Sequence, residues 1–121
     1  MPAATLTIPP AAEHVRTARL VAAAAARRAG LDEESVDDVR LAVGEVVARA
    51  VRRHIAVGSS AAVALVLSES PSRFEVEVTD QCDPSLPDDD EGVALALVSA
   101  LVPQLSVGGA RIVLGWGIPD R

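Results

Sequence analysis

From Val36 to Ala50 apolar residues recur every three or four positions. Placed at about 100° per residue, Val36, Val39, Val43, Val46, Val47 and Ala50 share one sector, and Asp38, Glu45, Arg49 and Arg52 share the opposite one. The spacing predicts an amphipathic helix whose valines face a core and whose Glu45 and Arg49, one turn apart, face away from it. Asp32 is placed to cap its start, Glu33 and Glu34 suit its first turn, and Arg52, Arg53 and His54 suit its C-terminus.

An earlier helix is predicted over 11–29, entered from Pro9-Pro10 and ended by Gly30, with a small-residue face of Val15, Ala18, Ala22, Ala25 and Ala26. Alternation at 3–8 (AATLTI) predicts a short strand before it. Alternation at 61–67 and 73–79 predicts two more, the last with Phe74, Val76 and Val78 inward and Glu75 and Glu77 outward. After the Pro- and acid-rich stretch 80–91, read as a loop, a short helix over 92–102 leads into a hairpin. Its strands are 104–107 and 110–116, joined by Gly108-Gly109. The order β-α-α-β-β-loop-α-β-β has no repeating βα unit. It predicts one α+β domain spanning 1–121, a two-layer sandwich with a mostly antiparallel sheet of about five strands and three helices on one face.

Composition narrows the chemistry. All 11 basic residues are arginines, which excludes a P-loop lysine, a Schiff-base lysine and a lysine general base. The net charge of −6 argues against sequence-independent nucleic-acid binding. Cys82 is the only cysteine, which leaves neither an internal disulfide nor a cysteine-based zinc site in the expectation. His14 and His54, far apart in sequence and isolated from other ligand types, read as surface residues, so no metal site is expected. No signal peptide or membrane-spanning run is legible, and a cytoplasmic protein is the expected reading.

Five stretches together carry a resemblance: HVRTAR at 14–19, VDDVRLAVGEVVARAV at 36–51, FEVEVTD at 74–80, GVALALVSAL at 92–101 and GGARIVLGW at 108–116. The chain resembles the anti-sigma factors of the serine-kinase type, built on the histidine-kinase-like (GHKL, or Bergerat) ATPase fold. The resemblance implies a regulator that sequesters an alternative sigma factor and is released by an anti-anti-sigma (STAS-type) protein. It also implies homodimers, ATP as cofactor, and in active members an ATP-dependent serine kinase.

Residue by residue, the resemblance places Glu45 at the glutamate of the family's Glu-x-x-x-Asn box, the catalytic base. Arg49 stands where the Mg²⁺-binding asparagine would, and a fixed cation there repels the metal, so Mg²⁺ is not expected. Asp80 matches the aspartate that reads adenine. Cys82 and Pro84 replace glycines of the following Asp-x-Gly-x-Gly motif, and of the last helix's Gly-x-Gly turn Gly92 is kept while Ala94 replaces the second glycine. The acids Asp88 to Glu91 fall where the family has its ATP lid. These departures argue for weak or absent kinase activity, and a degenerate scaffold or dimerisation domain of this fold stays open as an alternative. Arg19, with Arg16, matches the family's partner-contacting arginine. From the residues alone, Glu45 with Arg49 is equally an exposed helix pair, Asp80 a strand-end turn residue, 88–91 a solvated loop, Cys82 a small buried thiol, and Arg16 and Arg19 solubilising charges.

Overall fold

The structure, a computed structural model, describes residues 3–82 and 91–119, with only the backbone of 91–94. Its elements run β1 (Ala3–Ile8), a 3₁₀ turn (Ala12–His14), α1 (Val15–Ala29), α2 (Glu33–Ala56), β2 (Val63–Glu69), β3 (Arg73–Thr79), α3 (Glu91–Leu101), β4 (Gln104–Gly108) and β5 (Arg111–Gly117). The five strands form one sheet in the order β1-β2-β3-β5-β4, and every neighbouring pair is antiparallel.

The α1–α2 hairpin turns where the sequence predicts. Gly30 takes the left-handed conformation (φ 104°). Its N–H reaches the Arg27 carbonyl at 3.1 Å and the Leu31 N–H reaches that of Ala26 at 3.1 Å, which is the Schellman arrangement. Two residues later the Asp32 carboxylate accepts the Ser35 N–H at 2.8 Å and starts α2. Arg27 bridges the two helices through a bidentate pair with Glu33, at 2.8 and 3.1 Å.

The alanine face of α1 is what lets the helices close on each other and on the sheet: Ala18, Ala22 and Ala26 are fully buried, as are Val36, Val39, Val43 and Val47 of α2. Under them lie Leu65, Leu67, Phe74, Val76, Val78, Ile112, Leu114 and Trp116 from the inner face of the sheet. Phe74 and Trp116 are paired across β3 and β5, with ring centroids 6.3 Å apart. On the other face Glu75 and Glu77 are half-buried and take Arg73 and Arg111 as partners at 3.1 and 2.9 Å.

The predicted hairpin turn sits one residue further on. Gly108 pairs with Arg111, so the connection is Gly109-Ala110, with a positive φ of 59° at Gly109 only. A glycine at the first central position is what a type II′ turn requires, and Gly108 is left in β4. α2 also runs past His54 to Ala56, and the first residues of the predicted first helix form the 3₁₀ turn.

Candidate functional site

The end of α2 and the end of β3 meet around a group of buried polar side chains. α2 presents Arg49 (2% exposed), Arg53 (4%) and His54 (0%), and the segment leaving β3 presents Asp80 (4%) and Cys82 (7%). Two expectations are corrected here. Arg49 does not stand on the solvent face opposite the valines, and His54 is not a surface residue. The physical reason is that α2 is covered on more than one side: α1, the sheet and α3 all contact it, so its buried arc is wider than the valine stripe. Glu45, by contrast, stays half-exposed and Arg52 exposed, as predicted.

The contacts inside the group are specific. Arg53 Nε donates to Asp80 Oδ2 at 3.1 Å, both side chains almost wholly out of solvent. The Cys82 backbone N–H donates to the other carboxylate oxygen, Asp80 Oδ1, at 2.9 Å. His54 Nε2 accepts the Gln81 N–H at 3.1 Å, which places the proton of a neutral ring on Nδ1. The Asp80 N–H reaches the Ala110 carbonyl at 2.9 Å and ties this corner to the β4–β5 turn. Arg49 is not without a partner either.

Burial pushes the Cys82 thiol above its usual value and the Asp80 carboxylate adds to this, while Arg53 and Arg49 pull the other way. A thiol so placed is protonated at neutral pH and is no nucleophile. His54, Asp80 and Cys82 offer ligand atoms that all lie within 4.8 Å of one another. Sequence reading missed this grouping because 26 positions separate His54 from Asp80, as their numbers show. The signal that could have found part of it is spacing: Arg49 and Arg53 are four apart, on the flank of α2 that also carries Val46.

The other predicted residues lie as follows. Arg16 and Arg19 are exposed on α1. The aliphatic stem of Arg19 crosses Gly44 of α2, where an added Cβ would stand 2.6 Å from Arg19 Cδ and 3.0 Å from Cγ. Gly92 and Ala94 lie in the first turn of α3. Pro84 and the acids Asp88 to Asp90 lie outside the described residues. His14 is half-buried, and among the described residues no helix is long and apolar enough to cross a membrane.

The family model of the histidine kinase-like ATPase domain matches residues 8–116, and the chain belongs to that family. No curated protein sequence matches it. Among solved structures it is similar to the RsbU and RsbW domains of Rv1364c from Mycobacterium tuberculosis, with a TM-score of 0.69 at 19% identity. That likeness is one of fold. It covers 98% of this chain and 32% of the other, so the chain spans about a third of that protein's length.

Proposed function

We propose that this chain is an anti-sigma factor: it sequesters an alternative sigma factor by protein–protein binding in the cytoplasm and is relieved by an anti-anti-sigma (STAS-type) partner. Its nucleotide site no longer supports Mg²⁺–ATP chemistry. The observation that carries this reading is the buried Arg53–Asp80 pair. The aspartate expected to accept from the adenine amine already has one oxygen taken by a guanidinium and the other by the Cys82 N–H. An adenine amine would have to share a carboxylate whose charge a buried guanidinium already neutralises, which weakens the one base contact this residue could give.

Arg49 supports the same reading. It is buried at the position of the expected metal ligand, and a fixed positive charge there opposes Mg²⁺. The residues present therefore do not fit a Mg²⁺-bound nucleotide, and Glu45 has no metal-held phosphate to act on. With no phosphoryl transfer to perform, what the fold offers is a surface. The exposed arginines of α1, Arg16 and Arg19, are the side chains suited to carboxylates of a protein partner.

Titration calorimetry with ATP and Mg²⁺ tests the nucleotide half of the proposal on the wild type beside Arg49→Asn. No saturable heat is expected for the wild type. Tight, metal-dependent binding would instead favour a working serine kinase that phosphorylates its antagonist. For the partner half, Arg19→Ala is expected to weaken the sigma complex at least tenfold while leaving the melting temperature unchanged, since hot-spot truncation removes about 2 kcal/mol or more of binding.

A further inference from the structure

We propose that His54, Asp80 and Cys82 form a binding site for a zinc ion at the junction of α2 and β3. The inference is independent of the sigma-binding reading. It rests on three observations. The first is the donor set: an imidazole nitrogen, a thiol sulfur and a carboxylate oxygen, the ligand types that zinc takes in tetrahedral sites. The second is placement. The three ligand atoms lie within 4.8 Å of one another, and all three residues are buried. Ligands of a tetrahedral zinc stand about 3.5 Å apart given its usual bond lengths, so side-chain adjustments of about 1 Å close the site. Third, His54 Nδ1 is buried and has no hydrogen-bond partner among the described residues. The present ring contacts therefore leave half of the imidazole's polar capacity unused.

The surrounding groups set what the ion would meet. Asp80 already has an outer partner on Oδ2, the Arg53 guanidinium, and a backbone donor on Oδ1. A carboxylate has about four lone-pair directions, so one oxygen can ligate while Arg53 holds the group in place, as outer-shell partners of ligating carboxylates do. His54 ligates through the unpartnered Nδ1, its proton moving to Nε2, which then gives up the Gln81 N–H. Gln81 is exposed, so its peptide can turn to water. A zinc–sulfur bond forms as the Cys82 thiol loses its proton to solvent, with no change of oxidation state. A water takes the fourth position. The charges of Arg53 and Arg49 oppose the ion, so the affinity is micromolar, well below that of a four-ligand structural zinc site.

The test uses the full chain after treatment with a chelator and dialysis. Zinc chloride is titrated by calorimetry, and cobalt(II) chloride is followed by absorption. One zinc per chain at micromolar affinity is expected, with a thiolate-to-cobalt charge-transfer band in the near ultraviolet. Cys82→Ser should fold, lose that band and bind zinc roughly tenfold or more weakly, and His54→Gln should weaken it similarly. Zinc should raise the melting temperature of the wild type but not of Cys82→Ser. Absence of saturable zinc binding by the wild type overturns the proposal. So does zinc binding that Cys82→Ser leaves unchanged, or a cobalt spectrum without the thiolate band, since each places the metal on surface acids.

Discussion

Removing Arg53 would leave the Asp80 carboxylate buried with, among the described residues, only the Cys82 N–H to hold it. Breaking such a pair from one side costs about 3–5 kcal/mol, whereas replacing both members with apolar residues of similar size is often neutral or stabilising. Arg53→Ala is therefore expected to lose about 3–5 kcal/mol in urea unfolding, and Arg53→Met with Asp80→Leu to recover only part of it, because the buried Cys82 N–H then loses its acceptor. A loss below about 1 kcal/mol for the single variant would show that the pair is solvated. The carboxylates at the surface make a different statement. Arg111 holds Glu77 below its usual range through a hydrogen bond, Arg27 does so for Glu33, and the Ser35 backbone N–H does so for Asp32. A group whose folded pKa is depressed contributes stability above its unfolded pKa and loses it as pH falls through the folded one. The melting temperature should thus begin to fall as the pH drops toward about 4, the ordinary carboxylate range, and Glu77→Gln should flatten that fall. Of the buried group only Cys82 was legible as buried one residue at a time. Arg53 and His54 look like the basic last turn of a helix, and only the return of β3 to the end of α2 gives them another role.

At the scale of elements most of the fold was legible, because its signals are local. The valine stripe of α2, the alanine face of α1, the Gly30 and Asp32 caps and the alternation of β3 each follow from spacing within a few residues. What spacing did not give was the width of the buried arc on α2, which depends on α3 and on residues 80–82 after β3, segments far away in sequence. It also left the hairpin turn one residue off, since two adjacent glycines offer two registers and only pairing with Arg111 selects one. The packing of α1 on α2 yields a prediction at this scale. Gly44→Ala gives α2 about 1 kcal/mol of helix propensity, while its methyl group collides with the stem of Arg19. Arg19 is exposed and flexible, so it swings away and the helix gain survives. The variant should be at least as stable as the wild type and yet weaken sigma binding as Arg19→Ala does. Unchanged binding would remove Arg19 from the interface.

For the molecule as a whole, family membership establishes the histidine kinase-like ATPase domain, and the junction of α2 and β3 is packed with the chain's own polar side chains. Asp80 pairs with Arg53 at that junction, and α2 carries two buried guanidiniums, Arg49 and Arg53. The sequence carried the first half of this in Arg49 and Cys82, whose departures from the family pattern can be read directly. Its second half, the occupation of Asp80 by Arg53, exists only in three dimensions. Under the proposed function, the chain's grip on its partner is independent of nucleotide. The direct measurement is size-exclusion co-elution of the chain with each alternative sigma factor encoded in the same genome, run in chelator without nucleotide and again with Mg²⁺ and ATP. A complex with at least one sigma factor, of equal stability in both buffers, is the predicted result. Failure to bind any of them with correctly folded protein, or a complex that forms only with Mg²⁺ and ATP, would contradict it.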